Sequence, residues 1–275
     1  VTNVLKNNSL SLMDGKKVKN FEKIVSKMFG KKYGLMVNSG TSALILGLKA
    51  LNLKKGSEII TPCLNFGTTV SSIILNDLIP ILVDVNINSL QIDPDLIEKK
   101  ISKKTKAILV PNLIGNIPDW KKLKKIAKKN KLILIQDAAQ SLGATYKKKH
   151  ITSFADFTIF SFQAIKQISS GDGGMLVIKN KKLLKKAKRI RWFGIDRLAK
   201  QGGTWENDIK EIGYKYQMTD IGAALLLESI KEFSFIKNKR RKIFEIYKKE
   251  LKNNNNVTIV DDESLSGHAN WLFTI

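Results

Sequence analysis

Residues 107–144, AILVPNLIGNIPDWKKLKKIAKKNKLILIQDAAQSLGA, decide the fold class. The runs AILVP (107–111) and LILIQ (132–136) are apolar throughout and of strand length, while Asp119 to Lys128 between them reads as a helix with a lysine-rich solvated face. A strand without polar alternation is buried on both sides, and a strand–helix–strand succession pairs its strands in parallel. The same alternation extends toward the N-terminus. YGLMV (33–37) precedes a helix from Ser42 to Leu51, EIITP (58–62) one around Thr69 to Leu75, and PILVDV (80–85) one from Pro94 to Ile101. Before all of these, Val18, Phe21, Ile24, Val25 and Met28 recur at helical spacing, with Gly30 placed as a stop. The expectation is an α/β fold, a mostly parallel sheet sandwiched by helices.

The second half changes character. FTIFSF (157–162) and GMLVI (174–178) are separated only by a loop, which predicts that one of the two runs antiparallel. Two long helices, Thr219 to Phe233 and Lys237 to Leu251, come next. Asn253 to Asn256 reads as a linker, and VTIV (257–260) and WLFTI (271–275) as strands beyond it. The pattern therefore predicts a large domain over 1–252, with 1–30 as its N-terminal helical segment. Residues 253–275 would be the start of a small C-terminal α/β domain, truncated here.

With 43% hydrophobic residues in 275, the chain can bury one large core and part of another. The formal net charge of +24 raises the question of an anionic partner. Nearly all of that charge is lysine scattered over solvated helix faces, as in KKLKKIAKKN (121–130) and KNKKLLKKAK (179–188), and no basic run is interleaved with stacking aromatics. Neither nucleic acid nor membrane is expected as a partner. The single cysteine, Cys63, excludes an internal disulfide and a cysteine-ligated metal cluster within one chain. His150 and His268 have no acidic or thiol neighbours at metal-ligand spacing. There is no apolar run of signal-peptide length near the start and none of eighteen residues anywhere, so a cytoplasmic location is the default expectation.

In an open α/β sheet ligands collect beyond the carboxyl ends of the strands, so the residues standing there carry the functional reading. Ser39, Gly40 and Thr41 lie where a strand gives way to a helix, an arrangement that suits a phosphate and equally an ordinary helix cap. Asp137 directly follows a strand so apolar that its carboxylate is either a turn cap or an anion buried to pair with a ring cation. Lys166 follows the strand around Phe160, is flanked by Phe162, Ala164, Ile165 and Ile168, and precedes the glycine turn 171–174. Desolvation there favours the neutral amine that can attack an aldehyde. Phe66, in TPCLNFGTT (61–69), either presents a flat face to a ring or packs in the core.

Taken together, SGTSAL (39–44), DAAQSLGA (137–144), FSFQAIK (160–166) with SGDGG (170–174), and GYKYQMTDIGAALL (213–226) resemble the DegT/DnrJ/EryC1/StrS family of sugar aminotransferases. The likeness runs from about Gly15 to Ile275. It implies a fold-type I enzyme dependent on pyridoxal 5'-phosphate, with Lys166 holding the cofactor through its amine and Asp137 against the pyridine nitrogen. Phe66 would stack on the ring, Gln140 would reach the phenolic oxygen, and Gly40, Thr41 and Ser161 would hold the phosphate. In many relatives an asparagine from the partner subunit completes the phosphate site at the position of Lys215, so the resemblance also implies a homodimer with shared active sites. A lysine there serves a phosphate as a point charge. Relatives that act as sugar 3-dehydratases carry histidine in place of the cofactor lysine, and Lys166 therefore favours an aminotransferase. Its implied substrates are a nucleotide-linked keto-deoxysugar and an amino-acid donor, glutamate first among them, in amino sugar and polysaccharide biosynthesis. The rival readings are a cofactor-binding regulator of the same fold and a fold-type I enzyme acting on amino acids alone. In RIRWFGIDR (189–197), Trp192, Phe193 and Arg197 either line the sugar-nucleotide pocket or pack a helix end. Gln136, where relatives commonly have glutamate, is expected to face away from the site, since successive strand residues alternate sides.

Overall fold

The computed structural model describes residues 1–6, 15–30, 33–196, 209, 211–260 and 267–275. Its centre is a seven-stranded sheet of β1 (Tyr33–Val37), β2 (Glu58–Pro62), β3 (Ile79–Val83), β4 (Thr105–Pro111), β5 (Ile133–Asp137), β8 (Phe157–Ser161) and β9 (Gly174–Ile178), in the order β1-β9-β8-β5-β4-β2-β3. A separate two-stranded ribbon joins β6 (Thr145–Tyr146) and β7 (Lys149–His150). Every pairing from β8 to β3 is parallel, whereas β9 runs antiparallel to both neighbours. The loop-only connection between the two strands had anticipated this one reversal. Because β9 is reversed against both β1 and β8, those two share a direction, and the carboxyl ends of β1, β2, β4, β5 and β8 fall on one edge.

The strands alternate between two buried cores. Met36, Ile108, Val110, Leu134, Phe160, Met175 and Val177 face one. Leu35, Val37, Ala107, Leu109, Ile135, Ile159, Leu176 and Ile178 face the other. A sheet wet on one side would expose one of these sets, so helices must cover both faces. On the first side lie α2 (Lys16–Met28), α6 (Trp120–Lys129) and α8 (Asp220–Ser229), contributing Val18, Phe21, Trp120, Leu123 and Leu226. On the second lie α3 (Gly40–Leu51), α4 (Thr68–Ile74) and α7 (Lys181–Arg191), contributing Leu44, Leu46, Ile73 and Ile190. The remaining α-helices among the described residues are the short α1 (Thr2–Lys6) and α5 (Pro94–Ile97), and the long α9 (Phe233–Leu251). No helix among the described residues is long and apolar enough to cross a membrane.

Beyond α9 the structure departs from the expected strands. Val257 to Val260 and Trp271 to Ile275 form no ladder among the described residues, and a single bond from the Val260 N–H to the Thr274 carbonyl (3.0 Å) joins them. Around Ala269 to Leu272 the backbone groups are engaged elsewhere. The Ala269 N–H donates to the Gly115 carbonyl (2.9 Å), the Leu272 N–H to Ile114 (3.3 Å), and the Trp271 carbonyl accepts from Arg240 Nη1 (2.8 Å). A strand needs its donors and acceptors for a neighbouring strand, and here they strap the segment onto the loop after β4.

The start of α2 shows how distant sequence closes the fold. Its N-cap, Gly15, has no side chain to satisfy the first N–H groups. Asp220, at the start of α8, supplies the acceptors, taking bonds from the Val18 N–H (3.0 Å) and the Lys17 N–H (3.3 Å) while nearly fully buried. A Cβ at position 15 would collide with that carboxylate, which is why glycine stands there. Asp220→Ala should destabilise the protein by about 1–3 kcal/mol. Urea unfolding tests this, with a lower midpoint at unchanged slope as the expected result.

Candidate active site

Four strand ends converge on one cavity of about 420 Å³, lined by Ser39, Gly40 and Thr41 after β1, Asn112 after β4, Asp137 and Gln140 after β5, and Ser161, Gln163 and Lys166 after β8. Phe66 and Thr68, beyond β2, and Trp271, from the strap, close its sides. A larger hollow of about 720 Å³ lies along the outer face of α7 among Lys181, Lys182, Lys185 and Lys188. Size does not make it the better site, because it lacks the convergence of strand ends that the first possesses.

The α3 N-terminus forms one wall. Ser39 caps it, its hydroxyl accepting from the Ser42 N–H (3.0 Å), and Gly40 and Thr41 stand in the first turn, where helix N–H groups have no intrahelical acceptor. Gly40 is required by the neighbouring strand, since a Cβ there would lie 2.9 Å from Ser161 Cβ and 3.3 Å from its hydroxyl oxygen. The result is a cradle of N–H and O–H donors fit for a phosphate.

Asp137 lies on the floor, 7% exposed, with its Oδ1 accepting from the Ala139 N–H (2.9 Å). Burial raises its pKa to about 6, against the opposing pull of the Ala139 hydrogen bond and the Lys166 charge. Burial likewise lowers the pKa of the half-buried Lys166, with Asp137's charge acting the other way. For both groups desolvation outweighs their mutual attraction, and the charged form of each is made less favourable than in water. A pyridinium nitrogen at Asp137 would answer the first, and an aldehyde at Lys166 the second. Phe66 is 66% exposed, which excludes the plainer reading of it as a core residue and leaves a bare aromatic face at the cavity wall. The residues present therefore fit pyridoxal phosphate, with a phosphate cradle, a ring face, a buried carboxylate and an amine around one space.

The chain matches a single family over its whole length, residues 1–275. It belongs to the DegT/DnrJ/EryC1/StrS aminotransferase family. Over 247 residues it is 34% identical to the spore coat polysaccharide biosynthesis protein SpsC of Bacillus subtilis, covering 88% of this chain and 63% of that one. Among solved structures it resembles PseC of Helicobacter pylori, an aminotransferase involved in the biosynthesis of pseudoaminic acid (TM-score 0.88, 29% identity, 94% of this chain and 69% of that one). It also resembles the E. coli GDP-4-keto-6-deoxy-D-mannose-3-dehydratase with bound hydrated PLP (TM-score 0.87, 27% identity, 98% and 72%). The chain spans 63% of the length of the curated relatives it matches.

Of the residues singled out in the sequence, Gly40, Thr41, Phe66, Asp137, Gln140, Ser161 and Lys166 all line the cavity. Gln140 is already engaged, its side-chain oxygen accepting from the Ile114 N–H. Lys215 does not line this chain's cavity; it is exposed and pairs with Trp192 in an isolated antiparallel bridge. Trp192 and Phe193 pack against each other edge to face (4.7 Å) at the end of α7, away from the cavity, and Arg197 lies outside the described residues. Gln136 faces away, as strand alternation requires, but it is not idle: its side chain accepts from Thr158 (3.0 Å) and donates to the Asn112 side-chain oxygen (3.4 Å). Asn112, Gln163, Asp172 and Trp271 also line the cavity and were not picked out from the sequence. Asn112 stands directly after the apolar run AILVP, the signal that had identified Asp137.

A carboxyl whose pKa rises from 3.8 to about 6 on folding adds stability that is fully present below pH 3.8 and lost as pH rises through 6. In cofactor-free protein, Asp137→Asn should therefore raise stability above pH 6, by about 3 kcal/mol at most, with the gain vanishing near pH 4. Thermal unfolding of the two proteins across that range checks the sign.

Proposed function

We propose that this protein is a pyridoxal-phosphate-dependent aminotransferase that converts a nucleotide-linked keto-deoxysugar to an amino sugar, with glutamate as donor. The observation carrying the proposal is the placement of Lys166 and Asp137 in one cavity at the strand ends, each pushed by burial toward its uncharged form. Bound there, the cofactor supplies an electron sink that makes a substrate C–H bond acidic. Asp137 answers the ring nitrogen's charge and so fixes the ring's orientation, Phe66 covers one ring face, and the α3 N-terminus with Ser161 anchors the phosphate. Lys166 Nζ would accept the proton from the donor's α carbon and return it within the cavity.

A lysine in this role, where the family's sugar dehydratases carry histidine, favours amination over dehydration. The relatives named above support a sugar substrate: one is a spore coat polysaccharide biosynthesis protein, one is involved in the biosynthesis of pseudoaminic acid, and one is a dehydratase of a GDP-linked 4-keto-6-deoxy sugar. The proposal includes a homodimer in which Lys215, exposed and not lining its own cavity, reaches the partner's phosphate cradle as a point charge. It further includes a small C-terminal domain beginning near residue 253 that shapes the sugar pocket.

Purified protein supplied with pyridoxal phosphate should be yellow and should bleach on addition of glutamate, releasing 2-oxoglutarate. Lys166→Ala should lose that half-reaction by at least about 10²–10⁴-fold while retaining weak noncovalent cofactor binding. A Lys166→Ala protein that bleaches at the wild-type rate, or a wild-type protein that binds cofactor and never bleaches, would overturn the proposal. The latter result would favour a regulatory role.

A further inference from the structure

Trp271 lies more than a hundred positions from Lys166 in the chain, yet its ring centroid is 4.3 Å from Lys166 Nζ. The indole does not drift into that position. Its Nε1 donates to the carbonyl of Ile165 (3.3 Å), the residue before the lysine, which ties the ring to the turn that carries Lys166. Its own carbonyl accepts from Arg240 Nη1 on α9 (2.8 Å). The strap on either side is pinned by the Ala269 N–H to Gly115 (2.9 Å) and the Leu272 N–H to Ile114 (3.3 Å), and Gln167 Nε2 donates to the Ala269 carbonyl (3.4 Å). Gly115 permits the close approach: its φ is +89°, and a Cβ there would stand 3.2 Å from Trp271 Cβ and 3.3 Å from Ala269 Cβ. Contacts from two directions and a glycine thus hold an aromatic face over one particular amine, in a chain whose other lysines are mostly solvated.

An aromatic face carries negative potential and attracts an ammonium, the more so where water is displaced. We propose that Trp271 is a positioning residue for Lys166: its indole seats the ε-ammonium formed once the amine has taken up the donor's proton, and so stabilises the protonated form until that proton is returned. This rests on the aminotransferase reading of the same cavity. Between losing the cofactor to a substrate and recovering it, Lys166 must hold a proton without swinging into solvent. A rigid ring beside it meets both needs, and a carboxylate in its place would trap the charge in an ion pair. Asp137 and Asp172 are the titratable groups that line the cavity with Lys166, and both remain in the variants below.

The test is competitive acetylation of the cofactor-free protein as a function of pH, with Lys166 quantified by peptide mass spectrometry. Trp271→Leu should lower the pH of half-labelling by about 0.5, and Trp271→Phe should recover part of that shift. In the glutamate half-reaction Trp271→Leu should lower kcat several-fold at unchanged KM. An unchanged labelling midpoint in Trp271→Leu overturns the proposal, as does a raised KM for the keto sugar at unchanged kcat, which would make Trp271 a substrate contact. Should the leucine variant fold poorly, biosynthetic incorporation of tetrafluorotryptophan keeps the ring's shape while removing its negative face, and the same lowered midpoint is expected. Absence of any spectral response to glutamate in the wild-type protein would defeat the aminotransferase reading separately, because the labelling midpoint is read without cofactor.

Discussion

A carboxylate at the end of a strand buried on both faces is the constraint around which this site is built. Asp137 closes β5, whose residues pack into the cores on either side, and its carboxylate accepts a described hydrogen bond from the Ala139 backbone. Burying such a group without a full set of partners costs stability, and the cost appears as a pKa pushed up to about 6. The same burial lowers the pKa of Lys166 across the cavity. A ligand with a ring cation and an aldehyde would relieve both groups at once. The desolvation of these two groups and the proposed chemistry are thus two readings of one fact.

The sheet's connectivity turns that local arrangement into a site. Six strands run one way and β9 alone is reversed, so the ends of β1, β4, β5 and β8 meet at one edge. Close packing then does the fine positioning. A Cβ at Gly174 would collide with the Ser39 carbonyl and one at Gly40 with Ser161, so the start of β9, the end of β8 and the α3 N-terminus approach as closely as they do only because both residues are glycine.

Much of this was legible in the sequence because it is local. Apolar runs and helical spacing depend on neighbours a few residues away, the strand–helix alternation indicated the sheet and the residues at its strand ends, and the loop-only connection pointed to a reversal in one of two strands. What escaped notice depends on contacts across the chain. Asp220 caps a helix some two hundred positions earlier, Trp271 covers a lysine from the far end of the sequence, and Gln136 supports Asn112 from behind. The strand reading of 257–260 and 271–275 failed for the same reason. Their apolar character is real, but around 269–272 hydrogen bonds to the Ile114–Gly115 turn and to Arg240 claim the backbone, and 257–260 has a single bond to Thr274 across to that segment. Spacing alone likewise could not show that Lys215 lies away from this chain's own cavity.

The central claim is that one lysine, in a chain carrying a formal net charge of +24, is set apart by its surroundings to hold the cofactor. The most direct test is to add one equivalent of pyridoxal phosphate to the purified protein, fix it with borohydride and map the modified peptides. The account predicts a phosphopyridoxyl label concentrated on Lys166. A label spread over the lysines of α6 and α7, or concentrated on any other residue, would contradict it.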